Sequence, residues 1–178
     1  VLMDDRVAGM ESDRIVGNQR ETSKKAVEEL IAAGHRRITV VAGRRETDTT
    51  RERLSGGAAA VRDQAERDAD LKVLWTDYTV AGARNALKAE LRGKQTPTAI
   101  YAISYYTTLG AAMAVRDLGL SIPEDVSLIG HDRFSGTEVI DPPLSLVEFD
   151  LERHGVEAAE LLMRRMTGDY SDFPVTKT

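Results

Sequence analysis

The side chains able to do chemistry in this sequence are few and far apart along the chain. Arg53 lies in Thr49-Thr50-Arg51-Glu52-Arg53-Leu54-Ser55-Gly56, within the first turns of an expected helix. A guanidinium offers about five donors in a fixed fork, suited to vicinal hydroxyls or a carboxylate. The alternative is an ordinary solvated helix charge that pairs with Glu52. Asp132 follows Ser127-Leu128-Ile129-Gly130-His131. A carboxylate at such a place accepts two hydroxyl hydrogen bonds, holds a cation, or simply caps a turn. Tyr78, Tyr105 and Tyr106 are rings that could stack on the apolar face of a sugar or base, or fill the gap between a sheet and a helix.

Several chemistries are excluded at once. There is no cysteine, so disulfides, thiolate metal sites and a cysteine nucleophile are out. The three histidines, His35, His131 and His154, are dispersed with no ligand spacing. His35 and His154 read as structural, and His131 beside Asp132 hints at acid–base chemistry or a metal only through its neighbour. Neither Gly43 nor Ser55-Gly56-Gly57 belongs to a phosphate loop, and no Gly-x-Ser-x-Gly elbow occurs. No nucleophile has an adjacent base, which speaks against an enzyme. Lys plus Arg number 24 and Asp plus Glu 29, for a net charge of −5. That balance argues against a nucleic-acid surface, which needs clustered positive charge. No apolar run approaches the ~18 residues of a membrane span.

The elements that must position these groups alternate along the 178 residues. The 42% apolar and 30% charged fractions are ordinary for a globular chain. A short strand is expected at Ile15-Val16. A helix follows over residues 21–33, with Ala26, Val27, Leu30 and Ile31 at helical spacing and Gly34 at its C-cap. Residues 37–43 form a β-branched strand stopped by glycine. Thr49 or Thr50 is the expected cap of a helix running to about Asp68. Strand 71–75, helix 80–91, strand 98–103, helix 106–118 and strand 126–130 complete the series.

Strands separated by covering helices make a parallel sheet, and apolar strands fit a sheet covered on both faces. Ligands then bind beyond the carboxyl ends of the strands. Four places are singled out: after Gly43, at Asp77-Tyr78, at Ser104-Tyr105 and at His131-Asp132. Later, Asp141-Pro142-Pro143 reads as a turn and Leu144 to Phe149 as extended. Leu151 to Met166 reads as a helix with Val156, Ala159, Leu162, Met163 and Met166 on one face. Val1-Leu2-Met3-Asp4 reads as the end of a strand and Phe173 to Thr178 as the start of one, so a fragment missing sequence at both ends is expected.

With those residues in view, the sequence resembles the effector-binding domain of a lactose-repressor-type (LacI/GalR) transcriptional regulator, over about residues 1–168. The resemblance rests on an ordered set of short motifs. They are Val1-Leu2-Met3-Asp4; Ala26 and Leu30-Ile31 leading to Gly34-His35-Arg36-Arg37-Ile38; Arg53-Leu54-Ser55-Gly56; Pro97-Thr98-Ala99-Ile100; Leu109-Gly110; Gly119-Leu120-Ser121-Ile122-Pro123-Glu124-Asp125-Val126-Ser127; Gly130-His131-Asp132; and Pro142-Pro143-Leu144-Ser145.

The resemblance implies an α/β fold of the type-I periplasmic-binding-protein kind. It has three-layer parallel sheets in two lobes, joined by three crossover strands, with a small molecule in the cleft. Residues 17–147 would be the carboxyl-side lobe, and 1–16 with 148–178 remnants of the amino-side lobe and crossovers. The DNA-binding helix-turn-helix would lie upstream, absent from this chain. The implied protein is a cytoplasmic homodimer and not an enzyme, with no cofactor, metal or membrane contact. A sugar or other metabolite in the cleft would control DNA binding through the missing segment. Effector contacts carry over onto Arg53 and Asp132, with Thr49 at a hydroxyl position and Tyr78 at a stacking aromatic. Ser104-Tyr105 stands where the family has Asn-Asp. Further departures are Arg133 for a common second Asp, Asn18-Gln19 for Asp-Asn, and Leu146 and Phe149 for polar residues at the return crossover. They make the pocket more aromatic and less acidic than a usual sugar site. Dimer contacts would use the helices starting near Tyr106 and near Ser135. A periplasmic sugar-binding protein of a transporter shares the fold and is the alternative reading.

Overall fold

A computed structural model describes residues 1–133 and 143–178. Its larger sheet is built from strands β3 (Arg37–Ala42), β4 (Asp70–Trp75), β5 (Ala99–Ala102), β6 (Ser127–His131) and β7 (Ser145–Val147). All pairs are parallel, in the order β4-β3-β5-β6-β7. The chain steps from β3 outward to β4, then returns across β3 to lay down β5. That reversal between β3 and β5 is where an open parallel sheet forms its ligand crevice.

The connecting helices α1 (Gln19–Ala32), α2 (Asp48–Asp63), α3 (Val80–Leu91) and α4 (Tyr105–Asp117) cover both faces. The strand period of two divides the core accordingly. Ile38, Val40 and Ala42 of β3, with Ala99 and Tyr101 of β5, pack against Val27, Leu30 and Ile31 of α1 and Ala60 of α2. Val41, Ile100 and Ala102 face the other way, onto Leu87 of α3 and Ala111, Ala114 and Val115 of α4.

Each helix starts where a strand has just ended, and polar side chains secure those starts. Thr47 Oγ1 accepts from the Thr50 amide at 3.2 Å, Thr79 Oγ1 from Gly82 at 2.9 Å, and Ser104 forms a capping box with Thr107. The cap of α2 is therefore Thr47, two or three residues before the expected Thr49 or Thr50. The helix also stops at Asp63, and a separate 3-10 turn spans Ala65–Arg67. Gly34 adopts φ +98° just past α1, the left-handed position that glycine fills without strain.

A second, three-stranded parallel sheet joins β1 (Leu2–Met3), β2 (Arg14–Ile15) and β8 (Thr176–Lys177) in the order β1-β2-β8. Helix α5 (Leu151–Met166) docks on it through buried Leu161 and Arg165. The apolar positions read from the sequence behave differently: Val156, Leu162, Met163 and Met166 are 49–72% exposed, so that face is turned away from the core. The turn residues Asp141 and Pro142 and the helix expected near Ser135 lie outside the described residues.

Candidate functional site

A cleft of about 500 Å³ opens at the carboxyl edge of the large sheet. Every strand of that sheet delivers a residue to it just beyond its end: Arg44 after β3, Tyr78 after β4, Ser104 after β5, Asp132 after β6 and Phe149 after β7. Thr49, Thr50 and Arg53 enter from the first turns of α2, and Gln19 from the start of α1. Met3, the last residue of the small sheet's β1, closes one wall with Asp4 and Asp5 just after it, and Leu151 and His154 of α5 close another.

The backbone is bent for this purpose. Four non-glycine residues among those described hold a left-handed φ: Asp4 (59°), Asp68 (51°), Tyr78 (65°) and Asp132 (65°). Three of the four line the cleft. Such conformations cost on the order of 1–3 kcal/mol each and cluster where a side chain must be aimed. Asp132 is tied by its amide to the Val147 carbonyl at 3.0 Å. Tyr78 lies over Gly43 so closely that a Cβ there would fall 2.0 Å from the ring, and Tyr106 meets it edge-on at 5.3 Å.

Arg53 is only 7% exposed. Its Nε donates to Gln19 Oε1 at 2.7 Å and its Nη1 to the Ile103 carbonyl, with the Phe149 ring centroid 5.8 Å from the guanidinium carbon. Gln19 in turn donates to Asp4 Oδ1 at 3.3 Å, so one amide joins the two sheets at the cleft. The Thr49 amide and hydroxyl both donate to Asp5 Oδ1 at 3.0 Å. Behind the cleft, Ser23 Oγ, Tyr101 Oη and His131 Nε2 form a sealed chain with steps of 2.6 and 2.7 Å. Burial pushes the Tyr101 hydroxyl up to about 12. Burial, and after it the Arg53 charge, holds His131 well below the ordinary histidine range.

Of the six side chains singled out in the sequence, Arg53, Asp132, Tyr78, Thr49 and Ser104 line one cleft. Tyr105 is the exception. It is the first residue of α4, with its ring edge-on to Tyr106 at 4.9 Å, and it does not line the cleft. The Ser104 hydroxyl accepts from the Thr107 amide, so much of its capacity goes to holding the helix start. His35 is structural as expected, bonded to Thr98 and Ser127 at 3.0 and 2.9 Å. His154, also expected to be structural, lines the cleft 6.4 Å from the Phe149 ring. Among the described residues no group of three or more His, Asp or Glu is placed to hold a metal ion.

Residues 27–176 match the family model of the periplasmic binding protein-like domain. The chain belongs to that family. Among curated relatives, the HTH-type transcriptional repressor PurR of Actinobacillus pleuropneumoniae serotype 3 is 32% identical over 176 residues, covering 97% of this chain and 52% of the relative. This periplasmic-binding-protein-like chain thus spans about half the length of the curated relatives it matches. A LacI family transcriptional regulator from Mycobacterium smegmatis superposes with a TM-score of 0.86 at 26% identity, covering 98% of this chain and 64% of that one. A complex of the transcriptional regulator CelR with cellobiose gives 0.85 at 28% identity, covering 97% and 53%. The homologues of this family member are LacI-type regulators and repressors, not enzymes.

Gln19, Asp4, Asp5 and Phe149 were not among the expected site residues, although they line the cleft. The signal was partly there: Asp4 ends a parallel strand like the other four, and Gln19 and Phe149 stand where the sequence departs from the lactose-repressor-type pattern.

Proposed function

We propose that this chain is the ligand-sensing part of a LacI-type transcriptional regulator. A sugar or related metabolite binds in the cleft and alters DNA binding by a segment outside this sequence. Arg53 and Asp132 hydrogen-bond the ligand, Tyr78 stacks on it, and Thr49 and Ser104 border it. Residues 17–147 act as the carboxyl-side lobe, and 1–16 with 148–178 as parts of the amino-side lobe and crossovers. The working unit is a cytoplasmic homodimer, and ligand favours one lobe arrangement over another by typically ~1–3 kcal/mol. The observation that carries this reading is the convergence of Arg53, Asp132 and a left-handed Tyr78 at the carboxyl edge of one parallel sheet. The cellobiose complex of a structural neighbour supports a small-molecule occupant. No helix among the described residues is long and apolar enough to cross a membrane.

The test is a thermal-shift panel of sugars and metabolites, followed by titration of each hit. Asp132→Ala is expected to unfold cooperatively at a transition within a few degrees of the parent while losing about tenfold or more in affinity, the loss typical of a charge-assisted hydrogen bond. In the intact regulator the same change abolishes the effector response of a reporter. A variant that binds and responds like the parent overturns the assignment.

A further inference from the structure

Two arginines in this fold are equally buried, each 7% exposed, and they are treated in opposite ways. Arg165 is neutralised: Asp13 meets its Nε and Nη2 at 2.8 and 2.9 Å, and Asp172 adds a third carboxylate contact at 2.8 Å. Arg53 has only neutral acceptors, the Gln19 amide oxygen and the Ile103 carbonyl. No carboxylate among the described residues is within ion-pair distance of it. Among the described residues its second terminal nitrogen has no acceptor, and it is not among the sealed, unbonded atoms, so it opens to the cleft. Asp4 and Asp5 share that cleft, but neither is within ion-pair distance of Arg53, and one oxygen of each accepts from Gln19 or Thr49.

A desolvated cation without a counter-ion is costly, and such charges are normally paired. Here the natural counter-ion is the occupant. Resting on the sensor reading, we propose that the cognate ligand is an oxyanion, a carboxylate or phosphate borne on a hydroxylated or aminated body. The oxyanion takes the open edge of the Arg53 fork, and the hydroxyls or amine donate to Asp132, which lines the same cleft. The Phe149 ring beside Arg53 keeps that end of the cleft apolar and strengthens the pairing.

The experiment compares D-ribose, D-glucose, D-ribose 5-phosphate, D-gluconate and inorganic phosphate on the 178-residue chain, against chloride at matched ionic strength. Thermal shift is read first, then calorimetric titration. The two organic oxyanions are expected to raise the transition in a dose-dependent way while the neutral sugars do not. Gluconate and the phosphates separate a carboxylate from a phosphate preference. Arg53→Met should weaken oxyanion binding about 10- to 100-fold, as expected for loss of a charge-assisted pair, and without ligand should melt no lower than the parent. Arg53→Lys, which keeps the charge, should fall between the two and serves if the methionine variant does not fold. Equal shifts in Arg53→Met and parent, or oxyanions acting no differently from chloride, overturn the inference. If a neutral sugar binds and the oxyanions do not, the ligand class falls while the sensor reading stands. If neither kind binds, both fall.

Discussion

At the scale of single residues, the molecule concentrates unusual states around one opening. His131 shows this most clearly. It is fully buried, one ring nitrogen is bonded to Tyr101 and Nδ1 has no partner among the described residues. Burial first, and the Arg53 charge after it, disfavour its protonation. An unfolded histidine titrates near pH 6.5, so below that value the unfolded chain takes up a proton that folded His131 refuses. Stability is therefore full above about pH 6.5 and falls as the pH drops, by up to ~1.4 kcal/mol per pH unit for this one proton. Half-buried His35 is shifted the same way and contributes to the same limb. Urea midpoints from pH 8 to 5 should show the decline, and His131→Gln should flatten part of it. An unchanged slope would mean that His131 does not hold this state. Arg53, Asp132 and Tyr78 were legible in the sequence because strand ends are legible, and ligand positions follow from them. His154 was not: its approach to the cleft depends on how α5 turns, which local pattern does not encode.

At the scale of elements, the alternation of strands and helices was readable nearly residue by residue, since buried parallel strands and amphipathic helices leave distinct periods. Val80–Leu91 is a helix as expected, and Arg37–Ala42 a strand. Helix ends were less legible, because Thr47, Thr49 and Thr50 are all competent caps and only the tertiary position of the turn selects Thr47. The burial of α5 was not legible at all, since periodicity gives a face but not what it meets. Close packing of α1 on α2 depends on Gly56, where a Cβ would lie 2.1 Å from the Arg20 carbonyl oxygen, a backbone atom that cannot rotate away. Gly56→Ala should therefore force the helices apart and cost about 1–3 kcal/mol or more despite the better helix propensity of alanine. Chemical denaturation measures this directly; a neutral or stabilising effect would show that the interface slides at little cost.

At the scale of the whole molecule, the question is what holds the small sheet and α5 together, because the Asp4–Asp5 wall of the cleft belongs to that sheet. Strands β1, β2 and β8 pair over only two residues each, too little to stand unaided. The brace is the buried pair Asp13–Arg165, 152 positions apart in sequence, with Asp13 also accepting from the Val175 amide at 2.9 Å. One carboxylate thereby fixes β2, the approach to β8 and the last turn of α5. The Arg165 hydrogen bond holds the Asp13 carboxyl below its usual range despite the opposing effect of burial. A depressed carboxyl stabilises the fold above about pH 4 and loses that contribution as the pH falls through its folded value. Asp13→Ala leaves Arg165 buried without its main partner, and breaking such a pair costs about 3–5 kcal/mol. The loss should fall on the small sheet first, raising hydrogen exchange at residues 2–15 and 175–177 before the large sheet. Ligand affinity should fall with it, although neither partner lines the cleft, since Asp4 would no longer brace Gln19 and, through it, Arg53. Replacing both partners with apolar residues, Asp13→Leu with Arg165→Met, should recover most of the stability. If the single variant keeps parental exchange and affinity, the small sheet is held by other contacts and the cleft wall is independent of this pair.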